Sequence, residues 1–129
     1  MSVPEARLSF FKLNVPDLDA ALAFWHGAFG FEVTMSFDEP EFREQVLGLP
    51  GQPAGPSLML VQYKDGRDVS VGPGHGPIGF TCTDIRASHD HALACDAEKV
   101  TDVFEAGGVK IALLKSPQGH EIELVELPA

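Results

Sequence analysis

The sequence predicts an α+β fold made of two copies of one strand-helix-three-strand (βαβββ) module. Three observations predict it. The stretch Phe10 to Phe31, FFKLNVPDLDAALAFWHGAFGF, passes from strand-like alternation through Pro16-Asp17 into a helical apolar pattern and stops at Gly30. Its opening recurs: with Asp17 set against Asp84, Phe11 matches Ile78, Leu13 matches Phe80, Val15 matches Cys82, Leu18 matches Ile85 and Ala20 matches Ala87. Behind each helical stretch come short apolar and β-branched runs separated by Gly, Pro and Asp, as in strands joined by turns.

In the first module, expected over residues 8–64, a strand from about Leu8 to Val15 puts Phe11, Leu13 and Val15 on one face and Phe10, Lys12 and Asn14 on the other. Pro16 ends the ladder because it has no amide to donate, and Asp17 is placed to N-cap the helix that follows. Leu18, Ala21, Leu22, Trp25 and Phe29 recur at helical spacing as one apolar, core-facing stripe. Gly30 suits a left-handed helix end, and His26 near that end complements the helix dipole. Phe31, Val33, Met35 and Phe37 alternate with Glu32, Thr34 and Ser36 as a half-exposed strand, broken at Asp38-Glu39-Pro40. A third strand covers Phe42 to Leu49, the loop Pro50 to Pro56 is too rich in proline for a ladder, and Ser57 to Tyr63 is the fourth strand.

A crossover over residues 65–76 joins the modules. Its segment DVSVGPGHG is glycine-rich, yet it lacks a Gly-Lys-Ser/Thr ending and leads into a strand where a phosphate cradle needs a helix N-terminus. It reads as a connection. The second module, over residues 77–127, opens with a strand from Ile78 to Thr83, the cap Asp84 and a shorter, more polar helix from Ile85 to Cys95. Val100 to Phe104 is expected as a strand, because Val100, Thr101 and Val103 are β-branched; a helix running on to Ala106 is the alternative. A hairpin through Glu105 to Gly108 leads into Val109 to Lys115, and a tight turn at Ser116 to Gly119 into the last strand, His120 to Leu127.

At 129 residues and 44% hydrophobic content, the chain suits a single domain with one core. No apolar run approaches the roughly 20 residues of a membrane helix, and MSVPEARL lacks the order of a signal peptide, so a cytoplasmic protein without membrane contact is expected. A net charge of -10 opposes binding to nucleic acid, which is driven by clustered Lys and Arg. Cys82 and Cys95 form no Cys-x-x-Cys and are expected as reduced thiols.

The motifs VPDLDAALAFWHGAFGF and SPQGHEIELVEL resemble those of the vicinal oxygen chelate superfamily, which includes glyoxalase I (lactoylglutathione lyase), methylmalonyl-CoA epimerase, extradiol dioxygenases and bleomycin resistance proteins. The resemblance covers nearly the whole chain. It implies that the strands curl into a cupped mixed sheet around a cavity with the helices outside, commonly in a homodimer. In the metal-dependent members four side chains point into the cup, one from the first and one from the last strand of each module. The resemblance puts these positions at Phe10, Leu60, Pro77 and Glu123, of which only Glu123 carries an oxygen ligand; a one-residue shift offers Ile78 in place of Pro77. One carboxylate does not replace the three or four protein ligands of a zinc, nickel or iron centre. No cofactor is therefore expected, with a divalent metal held by Glu123, His75 and His120 as the alternative. His89 and His91, two apart on a helix, point to different faces and are poor co-ligands.

Strand alternation extends the expected cup wall from Phe10 to Lys12 and Asn14, from Leu60 to Leu58 and Gln62, from Pro77 to Gly79 and Thr81, and from Glu123 to Glu121 and Val125. Apolar walls with a few polar groups are the usual make-up of a small-molecule pocket. Lys12 and Glu123 are the candidate catalytic residues, since a carboxylate and an ammonium in a partly desolvated cavity must pair, shift their pKa values or meet a ligand. In that role Glu123 accepts a proton or hydrogen bond, Lys12 anchors an anion or carbonyl and Phe10 is a stacking platform; a structural salt bridge is the alternative. The expected function is a small-molecule-binding protein of the glyoxalase/bleomycin-resistance type with a metal-free cavity. The alternative is a glyoxalase I-like lyase or isomerase, or a dioxygenase-like enzyme, with a non-standard metal site. A structural or regulatory partner protein would show a large exposed apolar patch instead of a cavity ligand.

Overall fold

The computed structural model describes residues 2–129 and contains the strand-helix-three-strand unit twice. The first copy runs β1 (Phe10–Asn14), α1 (Leu18–Phe29), β2 (Glu32–Asp38), β3 (Phe42–Gly48) and β4 (Ser57–Tyr63). The second runs β5 (Ile78–Thr81), α2 (Ile85–Ala94), β6 (Glu98–Lys99), β7 (Phe104–Ala106), β8 (Val109–Lys115) and β9 (Glu121–Glu126). Each copy forms its own sheet, in the orders β1-β4-β3-β2 and β5-β9-β8-β6, with β7 also paired to β8. The first and last strands of each module, β1 with β4 and β5 with β9, run parallel, and the other pairings are antiparallel.

The repeat extends to hydrogen bonds. Asp17 and Asp84 both cap in extended conformation, accepting from the amides of Ala20 at 3.0 Å and Ala87 at 3.1 Å. A second orphan amide of each first turn is satisfied from the module's last strand: Leu18 N donates to Gln62 Oε1 at 2.7 Å, and Ile85 N to Glu126 Oε1 at 2.9 Å. Helix α1 ends at Gly30, whose φ of 80° is the left-handed conformation glycine adopts without Cβ strain.

The core lies where the helices pack on the sheets and includes apolar faces from both modules. Leu18, Ala21, Trp25 and Ala28 of α1 meet Leu58 and Leu60 of β4, and the same cluster takes in Ile85, Ala92, Leu114, Ile122 and Leu124 of the second module. Phe80 on β5 joins the modules most directly, stacking on Phe29 at a centroid distance of 4.1 Å and an interplanar angle of 4°. It also stacks with Trp25 and meets Phe31 edge-on.

Two strand expectations are modified. In β2 the register slips between Val33 and Met35, where Thr34 Oγ1 donates to Val46 O. Met35 and Phe37 therefore share the face of Val46 and Glu44, while Val33 pairs with core-facing Leu47, so the four alternating apolar residues do not form one stripe. The strand expected over Val100 to Phe104 does not form: β6 ends before it at Lys99, and β7 begins only at Phe104. Between them the amides of Val100 and Thr101 both donate to Leu113 O, and Thr101 Oγ1 accepts from Leu113 N, which takes the β-branched segment out of a regular ladder. The helix histidines serve packing: His89 Nε2 lies 3.1 Å from Thr101 O and His91 Nε2 2.7 Å from Gly27 O.

Candidate ligand-binding site

Each sheet has a face against the helices and a face turned away from them. On β1 and β4 the pairing of Leu13 with Leu60 and Phe11 with Leu58 sets these side chains on the helix face, where Leu58 and Leu60 are buried. Gln62 belongs to the same face, as its bond to α1 requires. The expectation that Leu58, Leu60 and Gln62 line the cup is therefore corrected by one residue: Met59, Val61 and Tyr63 share the face of Phe10, Lys12 and Asn14. The caps give the same answer. Gln62 stands to Leu18 as Glu126 stands to Ile85, so the first-module equivalent of Glu123 is Met59 rather than Leu60.

Between the edge strands β1 and β5 lies a cavity of about 740 Å3, closed by crossover residues 67–72 and 75–77 and by the start of β9. It brings together Lys12, Asn14, Pro77, Gly79 and Glu121 of the expected ligand residues, with His75 and His120 beside them. It does not include Phe10, Thr81 or Glu123. Those three lie on the open sheet faces, where Thr81 and Glu123 alternate with core-facing Phe80, Ile122 and Leu124. The cavity walls add Tyr63, which the corrected alternation of β4 reaches, and Arg67, Val69 and Val71, which no strand alternation points to. Arg67 follows the Lys64-Asp65-Gly66 turn, the one local signal for it; its guanidinium lies 3.9 Å from the centroid of the Tyr63 ring and is forked onto Asp65.

Lys12 does not pair with Glu123. Its Nζ lies 3.0 Å from Oε2 of Glu44, a carboxylate that is 5% exposed, and 5.8 Å from the Phe10 ring centroid. The pair sits at the side of a second, open recess of about 520 Å3 on the first sheet, lined also by Phe37 and Phe42. Lys12 thus borders both spaces, and its charge is already balanced in this chain by Glu44.

His120 is 8% exposed and held by a tight turn: its amide donates to Ser116 Oγ at 3.0 Å and its carbonyl accepts from Ser116 N at 2.8 Å. Burial pushes its pKa below the ordinary histidine value, opposed by the Asn14 backbone and aided by nearby His75. Because the unfolded chain then binds a proton that the folded chain resists, stability is expected to fall as pH drops through and below the ordinary value near 6.5. Thermal melts at neutral and mildly acidic pH check this. His120→Gln should flatten the slope in that window, and an unchanged slope would assign it to another group.

The metal positions implied by the resemblance hold Phe10, Met59, Pro77 and Glu123, an aromatic ring, a thioether, an imino ring and one carboxylate. This set does not fit a zinc, nickel or iron centre. Among the described residues, no three His, Cys, Asp or Glu side chains are grouped to hold an ion, so the alternative set of Glu123, His75 and His120 is not assembled within one chain. No helix among the described residues is long and apolar enough to cross a membrane.

The family model for the Glyoxalase/Bleomycin resistance protein/Dioxygenase superfamily matches residues 7–124. A lactoylglutathione lyase of Haemophilus influenzae is 30% identical over 122 residues, 88% of this chain and 87% of the relative. The trypanothione-dependent glyoxalase I of Leishmania major superposes with a TM-score of 0.82 at 21% identity, over 95% of this chain and 87% of that one. A glyoxalase family protein of Bacillus cereus gives a TM-score of 0.85 at 18% identity, over 100% of this chain and 99% of the other. At such identities the structural likeness speaks for the fold alone. The cupped-sheet fold, the doubled module and the family match together place this chain in the glyoxalase/bleomycin resistance protein/dioxygenase superfamily.

Proposed function

We propose that this protein binds a small organic molecule in the cavity between its modules, without the metal centre of its metal-dependent relatives. The observation that supports this reading is the donor set Phe10, Met59, Pro77 and Glu123, which offers one carboxylate where a metal needs three or four ligands. The cavity has the make-up of an organic binding site, with Phe11, Leu13, Val69 and Ile78 as apolar wall and Asn14, Arg67 and His120 as hydrogen-bonding groups. The working unit in this reading is a homodimer. Phe10, Met35, Phe37 and Phe104 are 40 to 56% exposed, and a second copy over the open sheet faces would remove that apolar surface from water and bring Glu123 beside a sheet of its partner.

A second reading, a lactoylglutathione lyase with an unusual ligand set, is favoured by the Haemophilus influenzae relative. Elemental mass spectrometry separates the two, on untagged wild type and Glu123→Gln, before and after dialysis against nickel, zinc, manganese and iron(II). Substoichiometric metal throughout, together with saturable thermal stabilisation by members of a small-molecule library, is the expected result. Near-stoichiometric metal lost in Glu123→Gln, with lactoylglutathione lyase turnover after metal loading, would replace the first reading by the second.

A further inference from the structure

We propose that one water molecule is bound between Gln118 and His120, bridging Gln118 Oε1 and His120 Nδ1. His120 also borders the ligand cavity, and the water site stands whether or not that cavity takes a ligand. Between α1 and the turn before β9 lies a small, partly open cavity of about 30 Å3, lined by apolar Val15, Ala21, Phe24 and Trp25 together with Ser116, Gln118 and His120. A space of that size has room for a water molecule. Among the described residues, two buried side-chain polar atoms lack a protein partner, Gln118 Oε1 and His120 Nδ1, and both belong to residues of this wall. A buried polar atom without a partner calls for an explanation, and a space with room for water beside both residues supplies it.

One neighbouring bond fixes what Gln118 can offer. Gln118 Nε2 donates to Asp17 O at 3.0 Å, which sets the amide orientation and leaves Oε1 as an acceptor. His120 Nδ1 accepts in one neutral tautomer and donates in the other. Water suits both cases and has little bulk: one O–H goes to Gln118 Oε1, and the second O–H or the oxygen meets His120 Nδ1.

Crystallography of the wild-type protein and of one variant tests this. A high-resolution structure of the wild type should show one isolated density peak within hydrogen-bonding distance, about 2.7 to 3.2 Å, of both Gln118 Oε1 and His120 Nδ1. A cavity without density would overturn the proposal. In Gln118→Leu, folded as judged by circular dichroism, the peak should disappear. A peak that persists there would equally overturn it, and if the variant does not fold, the wild-type density decides.

Discussion

Leu60→Glu is expected to leave no folded protein at 25 °C, whereas Met59→Glu, one residue earlier on the same strand, should fold and melt within several degrees of wild type. Leu60 is fully buried against α1. Truncating such a leucine costs about 2–5 kcal/mol, and an unpaired carboxylate in its place costs several more. The sum reaches the roughly 5–15 kcal/mol that holds an average domain together. Met59 is only partly buried and lies on the face turned from the helices, where a carboxylate keeps contact with water. A cost of about 1 kcal/mol there would lower the melting temperature by roughly 3–6 °C. Circular dichroism melts of the two variants, side by side, decide which residues face the helix. Cooperative melting of Leu60→Glu near the wild-type temperature would return Leu60 to the open face.

The second large effect is expected at the junction of the modules. Phe80→Ala removes a ring stacked 4.1 Å from Phe29 and also in contact with Trp25 and Phe31, all three on the first module. Losing such a side chain costs about 3–5 kcal/mol, or a fall in melting temperature of about 10 °C or more. The lost contacts are ones that join the two modules, so the single unfolding transition should also broaden or split. Calorimetry reads both effects, and a sharp transition only a degree or two lower would show that the modules are joined mainly elsewhere.

The doubled module and both helix caps were legible because each rests on local chemistry: an Asp before an apolar stripe, a Pro that cannot donate, and a Gly that can take the left-handed conformation. The face of β4 was not. Leu58, Met59, Leu60 and Val61 are all apolar, so alternation has nothing to alternate, and the face is set only when Gln62 reaches the amide of Leu18. For the same reason Glu44 was missed as the partner of Lys12, since the two are brought together by sheet pairing across 32 residues. Val100 to Val103 fits a strand by residue type, and the bonds of the Val100 and Thr101 amides to a single carbonyl, Leu113 O, override that preference. The part played by Arg67 and Val69 in the cavity was hidden because a connection carries no periodicity from which to read a facing side.

The bonds from Gln62 to α1 and from Glu126 to α2 also bear on the order in which the chain folds. They close loops of 44 and 41 residues, so the first amide of each helix is left to water until the strand that ends its module has arrived. As the chain emerges from a ribosome, the first module can close once residue 62 is clear, while the second must wait for residue 126. During that interval the half of the core that Leu114, Ile122 and Leu124 will fill is open, and Trp25 and Phe29 have no lasting neighbour on that side. The vulnerable species in synthesis is thus a finished first module with its aromatic face uncovered, the state most in need of a chaperone.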